Sequence, residues 1–144
     1  RTYIALVEGK LQKREGTITS WLTEDDRTAM VSSSPTDNGG QKAITHYKVL
    51  KESTLQSDDT TLTTEYSLVE LNLETGRTNQ IRVHMATLKH PVVGDRKYGN
   101  GNDSSPIDRL CLHARTLEFI HPMTEKKVRF EAPVPKEFMR VLNQ

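Results

Sequence analysis

A two-residue alternation of apolar and polar side chains near the middle of the chain constrains its fold more than any other feature. The clearest part of residues 63–73 reads Val69, Glu70, Leu71, Asn72 and Leu73. Successive side chains of a β-strand point to opposite faces of its sheet, so this period predicts a strand with one buried face. The fold must therefore contain a sheet that accepts residues 63–73.

Other segments predict strands because they are rich in β-forming residues. They are residues 3–8, 17–22, 42–50, 110–120 and 127–131. The first of them, Tyr3–Glu8, is apolar on both faces, which is typical of a central strand. The last two predict a hairpin across residues 121–124.

The connections between these segments are polar. Residues 51–61 are turn-like, so the strands 42–50 and 63–73 can pair across them. Residues 32–40 and 95–108 predict loops because they are rich in Ser, Asn, Asp and Gly.

Two segments predict helices. Thr78 is a suitable N-cap for a helix that runs to about Leu88, with Ile81, Met85 and Leu88 on one apolar face. A short terminal helix is predicted to begin at Pro135, because proline is well tolerated in a first helical turn. The expected fold class is α+β, with a mostly antiparallel mixed sheet, a few flanking helices and no internal repeat.

The composition limits the classes of protein to which the chain can belong. Its 20 Lys and Arg against 19 Asp and Glu give a net charge of +1, so RNA binding would need a local basic surface. The chain has no long apolar run and no signal-peptide pattern, so neither a membrane nor export is indicated. Its single cysteine, Cys111, predicts a buried thiol because it lies between two leucines, and a single cysteine fits a reducing cytoplasm.

The densest group of polar residues lies in Glu74–His84, where a predicted strand turns into a predicted helix. Two arginines beside a helix N-terminus could form a corner that accepts an anion, or they could simply be solvated. Arg82 directly follows the core residue Ile81, so we expect it to be half-buried and to need a carboxylate or phosphate partner. That partner could come from elsewhere in the chain, from a substrate or from a region outside the chain.

Two other kinds of active site receive little support. The possible zinc ligands are His84, His90, His113, His121 and Asp95, but their spacing fits no compact metal motif. A serine hydrolase is not indicated, because the Gly-x-Ser-x-Gly motif is missing from the sequence. We therefore do not expect a metal site.

The run Glu74–Met85, followed by His90–Asp95 and Tyr98–Gly99, closely resembles the signature of the RluA/RluD-type RNA pseudouridine synthases. Further matches occur in the same order at Tyr3–Gly9, at residues 42–47, at residues 109–114, and at Leu117, Phe119, His121 and Pro122. The resemblance covers nearly the whole chain. It implies that residues 1–144 are the C-terminal portion of a single pseudouridine synthase catalytic domain.

This resemblance implies a reaction. Members of the family convert uridine to pseudouridine in structured RNA, ribosomal RNA more commonly than transfer RNA. They break the N1–C1′ bond and rejoin the base through C5, and the resemblance implies that neither a metal nor an organic cofactor takes part. By position, Arg82 matches the arginine that pairs with the family's catalytic aspartate, and Tyr3 matches its active-site tyrosine. We also predict phosphate contacts from basic residues, namely Arg77, Lys89, Arg96 and Lys97.

The chain departs from the family pattern in two places. Asn79 stands where the family usually has histidine, and the family's His-Arg-Leu-Asp motif, which carries the catalytic aspartate, occurs nowhere in the sequence. We therefore expect the chain alone to be inactive, as part of a longer enzyme or, alternatively, as a catalytically inactive RNA-binding or structural fragment. We also expect it to self-associate through an open edge at Tyr3–Glu8.

Overall fold

The computed structural model describes residues 1–56, 63–99, 109–120, 123–124, 126–131 and 133–142. Its strands are β1 (Thr2–Glu8), β2 (Glu15–Glu24), β3 (Val31–Ser34), β4 (Gln41–Gln56), β5 (Thr63–Leu73), β6 (Leu112–Ile120) and β7 (Lys127–Glu131). Its helices are α1 (Gln80–Thr87) and α2 (Lys136–Leu142). In this described part, the strands form one antiparallel sheet in the order β3-β2-β4-β5-β1-β6-β7. The predicted α+β class is confirmed.

Strand β1 lies inside the sheet, as its apolar character predicted. It pairs with β5 on one side and with β6 on the other, and the four residues Ile4–Val7 are fully buried. The prediction of an open edge at β1 is therefore wrong, because two neighbouring strands satisfy its backbone hydrogen bonds. Self-association of the chain stays a prediction, but β1 does not supply the edge for it.

The strand predicted at 63–73 has the bounds of β5, and it pairs with β4 as expected. Strand β4 continues to Gln56, beyond the predicted end at residue 50. A bulge between Val49 and Lys51 shifts the register, so the polar residues that follow still pair with β5. The remainder of the predicted turn, residues 57–61, lies outside the described residues.

The predicted loop at 32–40 is partly wrong. Its first residues belong to β3, which pairs with the extended end of β2. Serine has no strong preference for strands, so the composition suggested a loop. The neighbouring strand overrides this weak local preference, because it offers a ladder of backbone hydrogen bonds.

Helix α1 confirms the predicted apolar face but not the predicted cap. Ile81 is 4% exposed, Met85 is 0% exposed, and Leu88 packs against the same core. The cap position is Asn79 rather than Thr78, and Asn79 has a left-handed backbone with φ 56°. It makes no side-chain capping bond.

The C-terminal part of the chain follows its prediction closely. Strands β6 and β7 form the expected antiparallel hairpin, and Cys111 is fully buried just before it. Helix α2 buries Phe138 and Leu142, and Ser53 of β4 bonds to the carbonyl of Val141. Helices α1 and α2 contact side chains on opposite faces of the sheet, which creates three layers.

Candidate active site

An open pocket lies where the start of α1 meets the sheet. Its apolar lining consists of Leu73, Ile81 and Leu112, and its polar lining consists of Tyr3, Arg77, Asn79, Gln80 and Arg82. Strand pairing explains why Tyr3 is present, since Tyr3 pairs with Leu71 and shares a sheet face with Leu73, two residues further along β5. The two predicted catalytic residues, Tyr3 and Arg82, thus line the same pocket, although their roles in catalysis remain predictions.

Arg82 has a carboxylate partner within this chain. Its Nε donates to Oδ2 of Asp95 at 3.0 Å, and its Nη2 donates to Oδ1 at 2.8 Å. The Asp95 side chain is 0% exposed and that of Arg82 is 22% exposed. This two-bond geometry matches the planar guanidinium to the carboxylate and fixes the orientation of both. Asp95 thus provides the partner whose source the sequence had left open.

Asp95 is also held by the turn that follows it. Its Oδ1 accepts hydrogen bonds from the backbone N–H groups of Lys97 and Tyr98, each at 3.0 Å. Burial alone would raise the pKa of Asp95, but the bonds from Arg82 and from these N–H groups lower it below its usual value. Asp95 is therefore an ionised carboxylate at neutral pH, with both oxygens already in use.

The amino-acid sequence contains one weak sign of this pairing. Asp95 follows Gly94 in a turn, but it lies 13 residues from Arg82, which is not a spacing that places two side chains together on a helix. Gly94 has φ +80°, and a Cβ there would lie 1.8 Å from the carbonyl oxygen of Arg109. The turn therefore lies directly against the chain that leads into β6, and this close approach positions Asp95 under α1.

Tyr98 supports the polar side of the pocket. The guanidinium carbon of Arg82 lies 5.2 Å from the centroid of its ring, within the range of a cation–π contact. Its hydroxyl bonds to Nδ2 of Asn79 at 3.2 Å and to the backbone N–H of Val31 at 3.1 Å. The Nη1 atom of Arg82 forms no hydrogen bond with any described residue. The two N–H groups of Nη1 and the second N–H of Nη2 are therefore the donors of Arg82 that no described residue uses.

Asn79 fits its place for a conformational reason. Its φ of 56° is costly for most residues, but asparagine tolerates the left-handed region comparatively well. Its amide also has no ionisable group near neutral pH. Any contribution of Asn79 to the pocket is therefore independent of pH.

A buried network anchors the start of α1. Gln80 is 2% exposed, and its Nε2 donates to the carbonyl of Ile44 and to Oγ1 of Thr45. Its Oε1 accepts bonds from Oγ1 of Thr75 and from the backbone N–H of Arg77. One side chain thus connects α1 to β4 and to the turn that carries Arg77.

His84 extends this network to β2. It is 0% exposed, and its Nδ1 and Nε2 lie 2.8 Å from the hydroxyls of Thr45 and Ser20, respectively. Burial lowers the pKa of His84 to about 4, so it is neutral at pH 7. Both ring nitrogens have hydroxyl partners, which accounts for this histidine without a metal.

The predicted phosphate contacts occupy different surroundings. Arg77 is exposed at the pocket, with its Nε bonded to the carbonyl of Lys42. Lys89 lies beyond the opposite end of α1, and Arg96 is exposed on the turn after Asp95. The ammonium of Lys97 donates to the carbonyl of Ala29 at 2.8 Å, which connects it to the β2–β3 turn. Of these four residues, the structure brings Arg77 into the pocket lining.

Two other potentially reactive side chains, those of His90 and Cys111, are held within the fold. His90 is bonded to the carbonyl of Glu8, and burial raises the pKa of the Cys111 thiol to about 11. In the ranges that the structure describes, no three His, Cys, Asp or Glu side chains form a group that could hold a metal ion, and His121 lies outside those ranges. The helices of the described part are too short and too polar to cross a membrane.

Comparisons with known proteins identify relatives of this chain. Residues 1–87 match the family described as RNA pseudouridylate synthase. The uncharacterized RNA pseudouridine synthase YhcT of Bacillus subtilis (strain 168) is 43% identical over 141 residues, which are 95% of this chain and 41% of that protein.

Two other relatives have names that specify an RNA. The ribosomal large subunit pseudouridine synthase D of Xylella fastidiosa (strain Temecula1 / ATCC 700964) is 36% identical, over 99% of this chain and 43% of the relative. The tRNA pseudouridine synthase C of Vibrio vulnificus (strain CMCP6) is also 36% identical, over 100% of this chain and 61% of the relative. The chain thus spans less than two thirds of the length of each of these relatives.

A solved structure has the same fold. Human RNA pseudouridylate synthase domain containing 1 aligns with a TM-score of 0.75 and 28% sequence identity. The alignment covers 92% of this chain and 53% of the human chain.

Proposed function

Because the chain belongs to the RNA pseudouridylate synthase family, we propose that it supplies part of the active site of an enzyme that isomerises uridine to pseudouridine in structured RNA. The observation that carries this proposal is the oriented guanidinium of Arg82 in the lining of a pocket that also includes the ring of Tyr3. The apolar wall at Leu73, Ile81 and Leu112 suits the flat face of a uracil that has left its base stack.

Each side chain has a proposed role. Asp95 fixes Arg82 through Nε and Nη2, and the remaining Nη1 pairs with the catalytic aspartate and keeps that carboxylate ionised in a pocket shielded from water. Tyr3 stacks on the uracil, with its hydroxyl near C5, where a proton must leave. Arg77 contacts a phosphate at the pocket.

The catalytic aspartate is proposed to come from outside these 144 residues. Asp95 is unsuited to that role, because its side chain is 0% exposed and both its oxygens accept hydrogen bonds within the fold. A carboxylate in this state cannot reach a ribose or a uracil. The alternative is a catalytically inactive RNA-binding or structural fragment, which would bind RNA through the same pocket without forming product.

Ribosomal RNA is the proposed substrate, and transfer RNA is the second to test. The relatives named for each kind of RNA are both 36% identical to this chain, so similarity alone does not separate the two. Modification in the cytoplasm is part of the same proposal. Assays on both RNA classes will decide the substrate.

The proposal is tested by changing Arg82 to lysine in the full-length protein. Lysine keeps the positive charge but cannot form the two parallel bonds to Asp95, so the charge loses its orientation. We expect pseudouridine formation, followed by tritium release from RNA that contains 5-tritiated uridine, to slow on the order of 100-fold or more. Arg140→Lys, on the exposed face of α2, is the matched control and should keep full activity. Full activity in Arg82→Lys and in Arg82→Ala would refute the role of Arg82.

A further inference from the structure

An aromatic and cationic pair lies on the sheet face opposite α1. Trp21 of β2 pairs directly with Lys42 of β4, and the ammonium of Lys42 lies 6.0 Å from the centroid of the indole ring. Their neighbours Ser20 and Ala43 are buried on the α1 side, so strand alternation directs Trp21 and Lys42 to the other face. Lys42 is exposed and Trp21 is partly exposed.

This pair is connected to the candidate active site. Arg77, which lines the pocket, donates from Nε to the carbonyl of Lys42 at 3.1 Å. The guanidinium of Arg1 lies over Gly76, where its Nη2 would be 3.5 Å from an added Cβ. Arg77 therefore connects the pocket to the backbone of Lys42, and Arg1 lies beside the residue that precedes Arg77.

Arg1, Lys42 and Arg77 form no ion pair with any described residue. Glu24, the nearest acidic residue on β2, is three positions from Trp21, and strand alternation therefore places it on the opposite face. In a chain of net charge +1, these cations form a local basic surface beside the pocket.

We propose that Trp21, Lys42 and Arg77 hold an unpaired nucleotide next to the uridine that enters the pocket. The base of this nucleotide stacks on Trp21, while Lys42 and Arg77 neutralise its phosphate. The inference rests on the proposed function, because it requires an RNA substrate, and it adds that the RNA is single-stranded beside the target.

Typical magnitudes favour the base over Lys42 as the partner of the indole. An exposed cation–π contact contributes about 0.5–1 kcal/mol, whereas stacking of a base on an aromatic side chain contributes about 1–3 kcal/mol. A base therefore displaces the ammonium of Lys42 from the ring and leaves it available for the phosphate. The competing interpretation is a cross-strand pair that only stabilises the sheet, which predicts no effect on RNA.

The first test uses intrinsic fluorescence. Trp21 is the single tryptophan of the sequence, so the difference in emission between the native protein and Trp21→Phe isolates its signal. Titration with polyuridylic acid should quench this emission, and a blunt RNA duplex should quench it much less. Trp21→Ala should weaken binding of labelled oligouridylate about 5- to 150-fold, as measured by anisotropy.

The second test uses salt dependence. Lys42→Gln should weaken RNA binding. The plot of the logarithm of the binding constant against the logarithm of salt concentration should also become less steep by about one, because one phosphate contact is lost. Lys48→Gln is the matched control, since Lys48 is exposed on the same strand and face but lies opposite Glu15 and Glu70 in the strand register. It should bind RNA like the native protein.

The outcomes separate this inference from the proposed function. Unchanged indole emission on binding, or native affinity in Trp21→Ala together with a native salt slope in Lys42→Gln, overturns the stacking site while leaving the enzyme proposal intact. Failure of the native protein to bind any RNA overturns both. If Trp21→Ala does not fold, quenching and the salt slope of Lys42→Gln still decide the question.

Discussion

The ion pair with Asp95 determines which substitution of Arg82 can test its catalytic role. A buried carboxylate is costly unless it is paired, and removing one partner of a buried pair typically costs about 3–5 kcal/mol. Arg82→Ala would therefore change stability as well as chemistry. Arg82→Lys separates the two effects better, because it leaves a cation beside Asp95 and removes the fixed geometry.

His84 makes the stability of the protein depend on pH. The unfolded chain binds a proton at His84 near pH 6.5, whereas the folded chain does so only near pH 4. Protonation therefore favours the unfolded state, and stability falls as pH decreases from about 6.5 to about 4. The expected loss is on the order of 3 kcal/mol.

The measurement is urea unfolding at pH 7 and at pH 4.5, compared between the native protein and His84→Gln. The variant should be less stable at pH 7 but should lose less stability on acidification. Equal losses in the two proteins would contradict the assignment of this effect to His84.

The turn at residues 94–98, which follows α1, completes the candidate active site. It carries Asp95 and Tyr98, which together orient Arg82 and Asn79. The turn depends on Gly94, because a side chain there would collide with the carbonyl of the incoming β6 segment. Backbone packing at Gly94 thus sets the orientation of the Arg82 and Asn79 side chains in the pocket.

Changing Gly94 to alanine tests this dependence. The new Cβ would lie 1.8 Å from Arg109 O in a residue with φ +80°, so the turn must shift. We expect a loss of about 2–5 kcal/mol in urea unfolding, because overpacking of about 1–3 kcal/mol adds to a backbone strain of about 1–2 kcal/mol. Gly39→Ala is the matched control, since Gly39 has φ +89° but no atom within 4 Å of its added Cβ. It should cost only about 1–2 kcal/mol, and equal losses would show that backbone strain alone acts at Gly94.

The described part of the molecule combines a central strand, two covering helices and a pocket at one end of its sheet. Its net charge of +1 gives no general attraction to RNA, so the RNA binding that we propose requires local surfaces such as that of Arg77, Lys42 and Trp21. The residues that the structure describes in the pocket lining include an oriented arginine but no exposed, unpaired carboxylate to act with it.

At this scale, we expect the 144 residues alone to bind structured RNA without modifying it. Binding should weaken steeply as salt rises, because released counterions drive it. The same tritium-release assay should show product from the full-length protein and none from the chain alone. Product from the isolated chain would show that the missing His-Arg-Leu-Asp motif is dispensable.

The sequence by itself determined most of the elements, though not β3 or the full length of β4, and it determined the family. Alternation fixed β5, continuous apolar character fixed β1, and helical spacing placed Ile81 and Met85 in the core, because these patterns report burial directly. The motifs also brought Tyr3 and Arg82 forward as candidates.

Only the tertiary structure decided what Arg82 pairs with and how α1 begins. The contact between Arg82 and Asp95 depends on a glycine turn packed against a distant segment, and the start of α1 depends on Gln80 reaching β4. Local patterns cannot report such contacts, because they join residues whose separation along the chain has no fixed period.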